Sequence, residues 1–343
     1  MSKSREYWRK RFEMLEDAQN NKAMSYYKSL EKAYIQTMTE IERDIARWYQ
    51  RFANNNEITL AEAKKLLKSD ELKEFQWTVE EYIKYGEENA INKAWMKQLE
   101  NASARVHISR LESLQTQLQQ HIEKLYGGQI EDFERLIKDV YQAQYYYAAY
   151  EIQRGIGVAF TISALDENVL TKVISKPWTY DGLTFSDKIW RDKNLLIDTI
   201  HKELTQSIAR GQAPDKIIKT IARKLNTSCS NAARLVMTES AFFSASAQKK
   251  TFDDLDVERY EIVATLDHKT SEICQAMDGK IFKMSEYEPG VTANPFHPWC
   301  RTTTVPYFDD NYGERIARGR GGKVYYIPSN ITYKEWEKKY VVA

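Results

Sequence analysis

Proline is missing from the first 176 residues; all seven lie at or after Pro177. The early part is instead rich in Glu, Lys, Gln, Leu and Tyr, and this shift of composition is the first sign of a domain change. Cysteine is scarce, with only Cys229, Cys274 and Cys300, which excludes an extracellular disulfide framework and favours a reducing compartment. No apolar run approaches the ~20 residues that span a bilayer, and the first residues carry no apolar signal core. A soluble product without a secretory signal or membrane partner is therefore expected. Nor is there an excess of one charge. Lys and Arg number 50 against 49 Asp and Glu, a formal net charge of +1, which excludes attraction to nucleic acid by bulk charge while leaving local patches open. At 343 residues the chain is long enough for one or two cores, each of the usual ~100–150 residues.

What is present is mostly helical periodicity. Leu30, Tyr34, Met38, Ile41, Ile45, Trp48 and Phe52 recur in steps of three and four and predict one face of a long helix, ended by Asn54-Asn55-Asn56. Thr59 with Glu62 reads as a capping box, and a further helix is expected from about Val79 to Leu99. Leu111, Leu114, Leu118, Ile122 and Leu125 form the next stripe, stopped at Gly127-Gly128; Ile130, Phe133, Ile137 and Val140 lead another into Tyr145-Tyr146-Tyr147. Short turns between stripes predict antiparallel packing in an elongated N-terminal helical bundle over residues 1–154.

Residues 155–194, with Gly155, Gly157, Pro177 and Asp181-Gly182, read as an irregular connector. Beyond it, Leu196, Ile200 and Leu204 predict a helix stopped near Gly211. Pro214 opens another through Leu225, and a third covers roughly Asn231 to Phe252. From Val257 the period turns to two, predicting strands at 260–265, 280–284 and 302–306. The expectation is thus a predominantly helical α+β chain, with a small mixed module over residues 195–308 and a C-terminal tail over 309–343. In that tail, Gly319-Arg320-Gly321-Gly322 reads as a linker, and Arg315, Arg318, Arg320, Lys323, Lys334, Lys338 and Lys339 with Tyr325, Tyr326 and Trp336 could touch phosphate and bases.

The densest cluster of reactive side chains lies between Asp267 and Arg301. Cys274, His297 and Cys300 are candidate zinc ligands, since thiolate and imidazole suit a tetrahedral zinc, with His268 or Asp267 needed as a fourth. The spacing contains no CxxC pair. A second reading makes Cys274 or Cys300 a nucleophile with His297 as base, oriented by Asp267 or Glu239. The third, taken as the working one, is structural. Pro295 and Pro298 hold His297 and Cys300 in a rigid turn, and Asp278-Gly279 forms a hairpin turn between strands. No phosphate-binding loop, dinucleotide fingerprint or His-Glu-x-x-His helix occurs, so no catalytic residue is assigned.

These residues also carry a resemblance. Ala233-Arg234-Leu235-Val236-Met237-Thr238-Glu239, then Asp267 with Thr270-Ser271 and Cys274, then Asp278-Gly279-Lys280-Ile281-Phe282, then Pro295, His297-Pro298 and Cys300-Arg301 stand in an order that resembles the phage Mu F-like head morphogenesis domain. The ordered motifs cover about residues 195–306, and the chain as a whole resembles the longer form of phage minor head proteins. Many relatives carry a cysteine where this chain has Thr302. The resemblance implies a non-enzymatic virion component that binds the portal vertex and acts in procapsid assembly and in genome packaging or ejection. Portal protein would be its partner, with the major capsid or scaffold protein and phage DNA, bound without sequence preference, as further candidates. It would reside in the head interior or at the portal vertex, and in host cytoplasm during assembly. Arg234, Thr238, Glu239, Asp267, Cys274, Asp278, Gly279, His297, Cys300 and Arg301 are then structural motif residues, and no cofactor is expected unless zinc sits on Cys274, His297 and Cys300. The alternatives to this function are a Cys/His- or zinc-dependent hydrolase centred on those three residues, and a nonspecific DNA-binding virion protein.

Overall fold

The computed structural model describes residues 4–55, 110–210, 212–265, 267, 269–308, 314–318 and 324–328. The expected capping box at Thr59 and Glu62, the helix at 79–99, His268, the Gly319–Gly322 linker and Trp336 lie outside them. The elements are α1 (Arg5–Asn55), α2 (Arg110–Gly127), α3 (Gln129–Ile156), α4 (Glu167–Ile174), α5 (Phe185–Ala209) and α6 (Pro214–Asp254), then β1 (Arg259–Val263), α7 (Glu272–Met277), β2 (Ile281–Lys283), β3 (Thr303–Pro306), β4 (Glu314–Arg318) and β5 (Val324–Pro328). The chain is a predominantly helical α+β protein, as its periodicity predicts.

Two compact units are present, and neither is continuous in sequence. One gathers Met1–Ala23, Ile137–Val173 and Met237–Ala343; the other gathers Met24–Leu136 and Ile174–Val236. They differ from the sequential division into 1–154, 155–194 and 195–308 because α1, α3 and α6 each contribute residues to both. The interval 155–194, expected to be irregular, contains α4 and the start of α5. Its second helix is set by a capping box: Thr184 Oγ1 accepts from the Asp187 N–H at 3.2 Å, and Asp187 Oδ2 accepts from the Thr184 N–H at 2.9 Å.

In the unit holding Met24–Leu136, Tyr34, Ile41 and Ile45 of α1, Leu118 and Ile122 of α2, Ile200 and Leu204 of α5 and Ile221 of α6 are buried. Proline at the first position opens α6 as expected, but the two helices predicted at 214–225 and 231–252 are one helix of 41 residues. The run Asn226-Thr227-Ser228-Cys229-Ser230 looks like a break by propensity. Tertiary bonding overrides it: Ser228 Oγ lies 2.7 Å from Tyr126 Oη and 3.2 Å from Tyr34 Oη and also bonds Asp192, which accepts from Tyr126 at 2.6 Å.

The other unit is built on a three-stranded antiparallel sheet of order β2-β1-β3, in which Tyr260 stands opposite Phe282 on one side and Pro306 on the other. Its core combines Trp8 and Phe12 of α1, Ala148 and Ile152 of α3, Phe252 of α6, and Tyr260, Ile262, Val263, Met277 and Val305. Gln248 of α6 reaches into this region, accepting from Gln144 at 2.5 Å and donating to Thr304 Oγ1 at 2.6 Å. Within the span expected to be a tail, β4 and β5 pair antiparallel from Glu314 opposite Pro328 to Arg318 opposite Val324.

Gly155 of α3 shows how closely this core is packed. A Cβ placed there would stand 2.0 Å from the Trp8 ring, and Trp8 is buried. Gly155→Ala is expected to lower stability by about 1–3 kcal/mol through overpacking, although alanine alone would favour a helix interior by about 1 kcal/mol. Urea unfolding of the variant checks this, and a gain in stability would show that the Trp8 ring can move aside.

Candidate thiol-imidazole site

The site begins where β1 ends. Thr265 Oγ1 donates to the Arg301 carbonyl at 2.8 Å, and Thr270 Oγ1 donates to the Thr265 carbonyl at 2.5 Å. Asp267 closes the intervening loop, with Oδ1 accepting the Lys269 N–H at 2.8 Å and Oδ2 meeting the Arg301 guanidinium at 2.6 Å. This ion pair is only half-buried, so its role is to hold two loops together more than to add stability. Ser271 then caps α7, its Oγ accepting the Cys274 N–H at 3.3 Å. The helix ends at Asp278, whose Oδ1 accepts the Ala264 N–H at 2.9 Å. Gly279 follows at φ +75 and donates to the Ile262 carbonyl at 2.8 Å. Asp278-Gly279 is therefore a helix-to-strand turn from α7 into β2, where a strand-to-strand hairpin was expected; six residues around Cys274 gain more from the Ser271 cap than from ladder bonds.

The second half of the site is the segment before β3. The Asn294-Pro295 peptide bond is cis, and His297-Pro298-Trp299-Cys300 forms a turn in which the Cys300 N–H reaches the His297 carbonyl at 3.2 Å. Trp299 takes φ 65, the left-handed value that the third position of such a turn requires and that a bulky side chain seldom adopts.

These two halves bring Cys274, His297 and Cys300 together. Cys274 Sγ lies 3.1 Å from His297 Nε2 and 3.8 Å from Cys300 Sγ, and Ser271 Oγ lies 2.8 Å from the same Nε2. Both cysteines are buried and free, and the histidine is half-buried. His297 Nδ1 is 2.7 Å from the Pro298 carbonyl, an acceptor, so Nδ1 carries the proton and Nε2 presents a lone pair to the thiols and the Ser271 hydroxyl. The sulfurs titrate as a pair. A bond from Cys300 pulls the Cys274 thiol below the usual cysteine range; burial opposes this, while Ser271 and Thr302 assist it. The same bond, burial and the neighbouring thiolate push Cys300 up.

The remaining motif residues lie elsewhere on the scaffold. Arg234, Thr238 and Glu239 are on α6; Glu239 is buried, and Arg234 belongs to the other compact unit. The carboxylates named to orient His297 do not occupy its Nδ1, which faces a main-chain carbonyl. Among the described residues, the group able to hold a metal consists of Cys274, His297 and Cys300. Sequence reasoning missed the participation of Ser271 and Thr302. A Thr-Ser pair ahead of an apolar helical turn is the N-cap signal that could have placed Ser271 beside Cys274; Thr302 is marked only as a position where relatives carry cysteine, two residues after Cys300.

Fold and site together define a helix-dominated protein in which a small antiparallel sheet carries a buried thiol–imidazole cluster between its loops. Residues 198–305 match the family described as phage Mu protein F like protein, so over that segment the chain is similar to it. The match takes in all of α6, the three-stranded sheet except the last residue of β3, and the whole cluster. No curated protein and no solved structure matches the chain. Among the described residues no helix is long and apolar enough to cross a membrane.

Proposed function

We propose that this protein is a phage head morphogenesis factor, a minor head component that acts by binding the portal vertex during procapsid assembly. The observation that carries the reading is the Mu F-like match over residues 198–305. The local chemistry is in keeping with a structural role. The His297 N–H is spent on a carbonyl, and Asp267 and Arg301 are spent on each other across two loops, so the motif residues chiefly lock main chain. Exposed aromatic surface supports partner binding: Tyr147 and Tyr150, three positions apart on α3, are both 58% exposed, and Phe160 beyond the helix is 48% exposed. Rings of this kind become strong contacts once a partner covers them. Service in genome packaging or ejection, contact with major capsid or scaffold protein and contact with phage DNA belong to the same proposal. The place of action is the virion head, after assembly in host cytoplasm.

Co-expression of the full chain with the portal protein of the same phage tests the reading. Tagged chain is expected to retain portal through size exclusion and to be found in purified procapsids, and Tyr147→Ser with Tyr150→Ser is expected to weaken retention at least tenfold. A chain that elutes free of portal and is absent from procapsids overturns it.

A further inference from the structure

We propose that Cys274, His297 and Cys300 form a zinc site, with both sulfurs bound as thiolates, His297 bound through Nε2 and a solvent molecule in the fourth position. This inference is independent of portal binding. The three donor atoms come from two segments separated by more than twenty residues of sequence, yet all lie within 4.8 Å of one another.

Their spacing is that of ligands sharing one ion. With a zinc–sulfur distance of about 2.3 Å and a zinc–nitrogen distance of about 2.05 Å, tetrahedral angles place two sulfurs about 3.8 Å apart and a sulfur and nitrogen about 3.6 Å apart. Here the sulfurs are 3.8 Å apart and Cys274 Sγ is 3.1 Å from Nε2, so seating the ion asks for an outward shift of roughly half an ångström by the imidazole, the more exposed member. The ring is already in the required tautomer. Its Nδ1–H is held by the Pro298 carbonyl at 2.7 Å, the outer partner that a zinc-bound imidazole commonly has. Two thiolates and one imidazole favour zinc over magnesium, calcium or manganese, which prefer oxygen.

Binding releases one proton from each thiol to solvent, and the Ser271 hydroxyl, freed from Nε2, turns its proton to the Cys274 thiolate. The ion then ties the capped start of α7 to the turn ahead of β3, joining two loops that the half-buried Asp267–Arg301 pair otherwise clamps from the solvent side. Without an ion, the cluster is held by contacts of weak thiol donors and acceptors.

The test uses the purified full chain under a metal-free reductant. Elemental analysis is expected to find about one zinc per chain, removed by chelator with a fall in Tm and restored by Zn²⁺ alone. Cobalt(II) in its place should give thiolate-to-cobalt charge-transfer bands and intense visible bands of tetrahedral coordination. Cys274→Ser, Cys300→Ser and His297→Gln should each weaken zinc by more than about 100-fold, beyond what a change in an outer partner causes, while Cys229→Ser should not. The cobalt spectrum of the unaltered chain decides the matter even if those variants fail to fold. Absence of bound zinc, a spectrum of hydrated cobalt, or retention of zinc by all three variants overturns the proposal. So does a Cys274–Cys300 disulfide, seen as one free thiol rather than three when unreduced protein is unfolded in chelator.

Discussion

Replacing Arg5 and Arg9 together with alanine is expected to cost about 3–5 kcal/mol of stability, the range for leaving a buried charge without its partner. Glu261 sits in the middle of β1 with its side chain at 0% exposure. Arg5 Nε reaches its Oε2 at 2.7 Å and Arg5 Nη2 its Oε1 at 2.8 Å; Arg9 Nε also meets Oε1 at 2.7 Å. The arginine side chains are 49% and 33% exposed and can return to water, whereas the carboxylate cannot. The asymmetry has a consequence that a urea titration can read. In the Arg5→Ala/Arg9→Ala background, Glu261→Gln should recover most of the loss, since no charge is then buried. A loss below about 1 kcal/mol, the level of surface pairs, would mean that Glu261 finds water when the arginines go.

The second large effect concerns pH. Glu16 of α1 is buried, with Ser244 Oγ at 3.1 Å from its Oε2, and burial pushes its carboxyl up to about 7, against the pull of Ser244 and with help from Asp17. The ordinary value is 4.5. The folded state therefore holds a proton that the unfolded state releases between these values. Stability from this group is complete below about 4.5 and is lost as pH rises toward 7, by about 3 kcal/mol in all. Glu16→Gln should remove that slope and leave the variant more stable than the parent at pH 8. Midpoints measured from pH 4.5 to 8 at fixed ionic strength check it; parallel curves for the two proteins would refute the assignment.

Much of the helical scaffold was legible because it is written in local periodicity. The stripe from Leu30 to Phe52 lies in α1, which ends at Asn55; Leu111 to Leu125 lies in α2, and Pro214 opens α6. What was not legible was set at long range. The first 23 residues show little apolar regularity because buried Glu16 and Gln19 interrupt it, and their helix is completed by packing against the sheet unit. The break read near Asn226 vanished because Ser228 has partners on three other helices. In the site, the residue types pointed to Cys274, His297 and Cys300, but three alternatives stayed open because spacing cannot show which atom the imidazole N–H faces. That depended on the turn at Pro298, where a carbonyl takes the place a catalytic carboxylate would need.

The unit that carries the sheet also sets a timetable. Arg5 and Glu261 are 256 positions apart in the chain, so a ribosome adding ~5–20 residues per second leaves the leading segment waiting roughly 13–50 s for its counterpart to emerge. During that interval Trp8 and Phe12 have no sheet to rest on, and a nascent chain would be open to chaperone capture. A fragment limited to residues 198–305 would inherit the mirror-image deficit, a sheet lacking the aromatic pair that seals it, and would be a poor surrogate for the whole polypeptide.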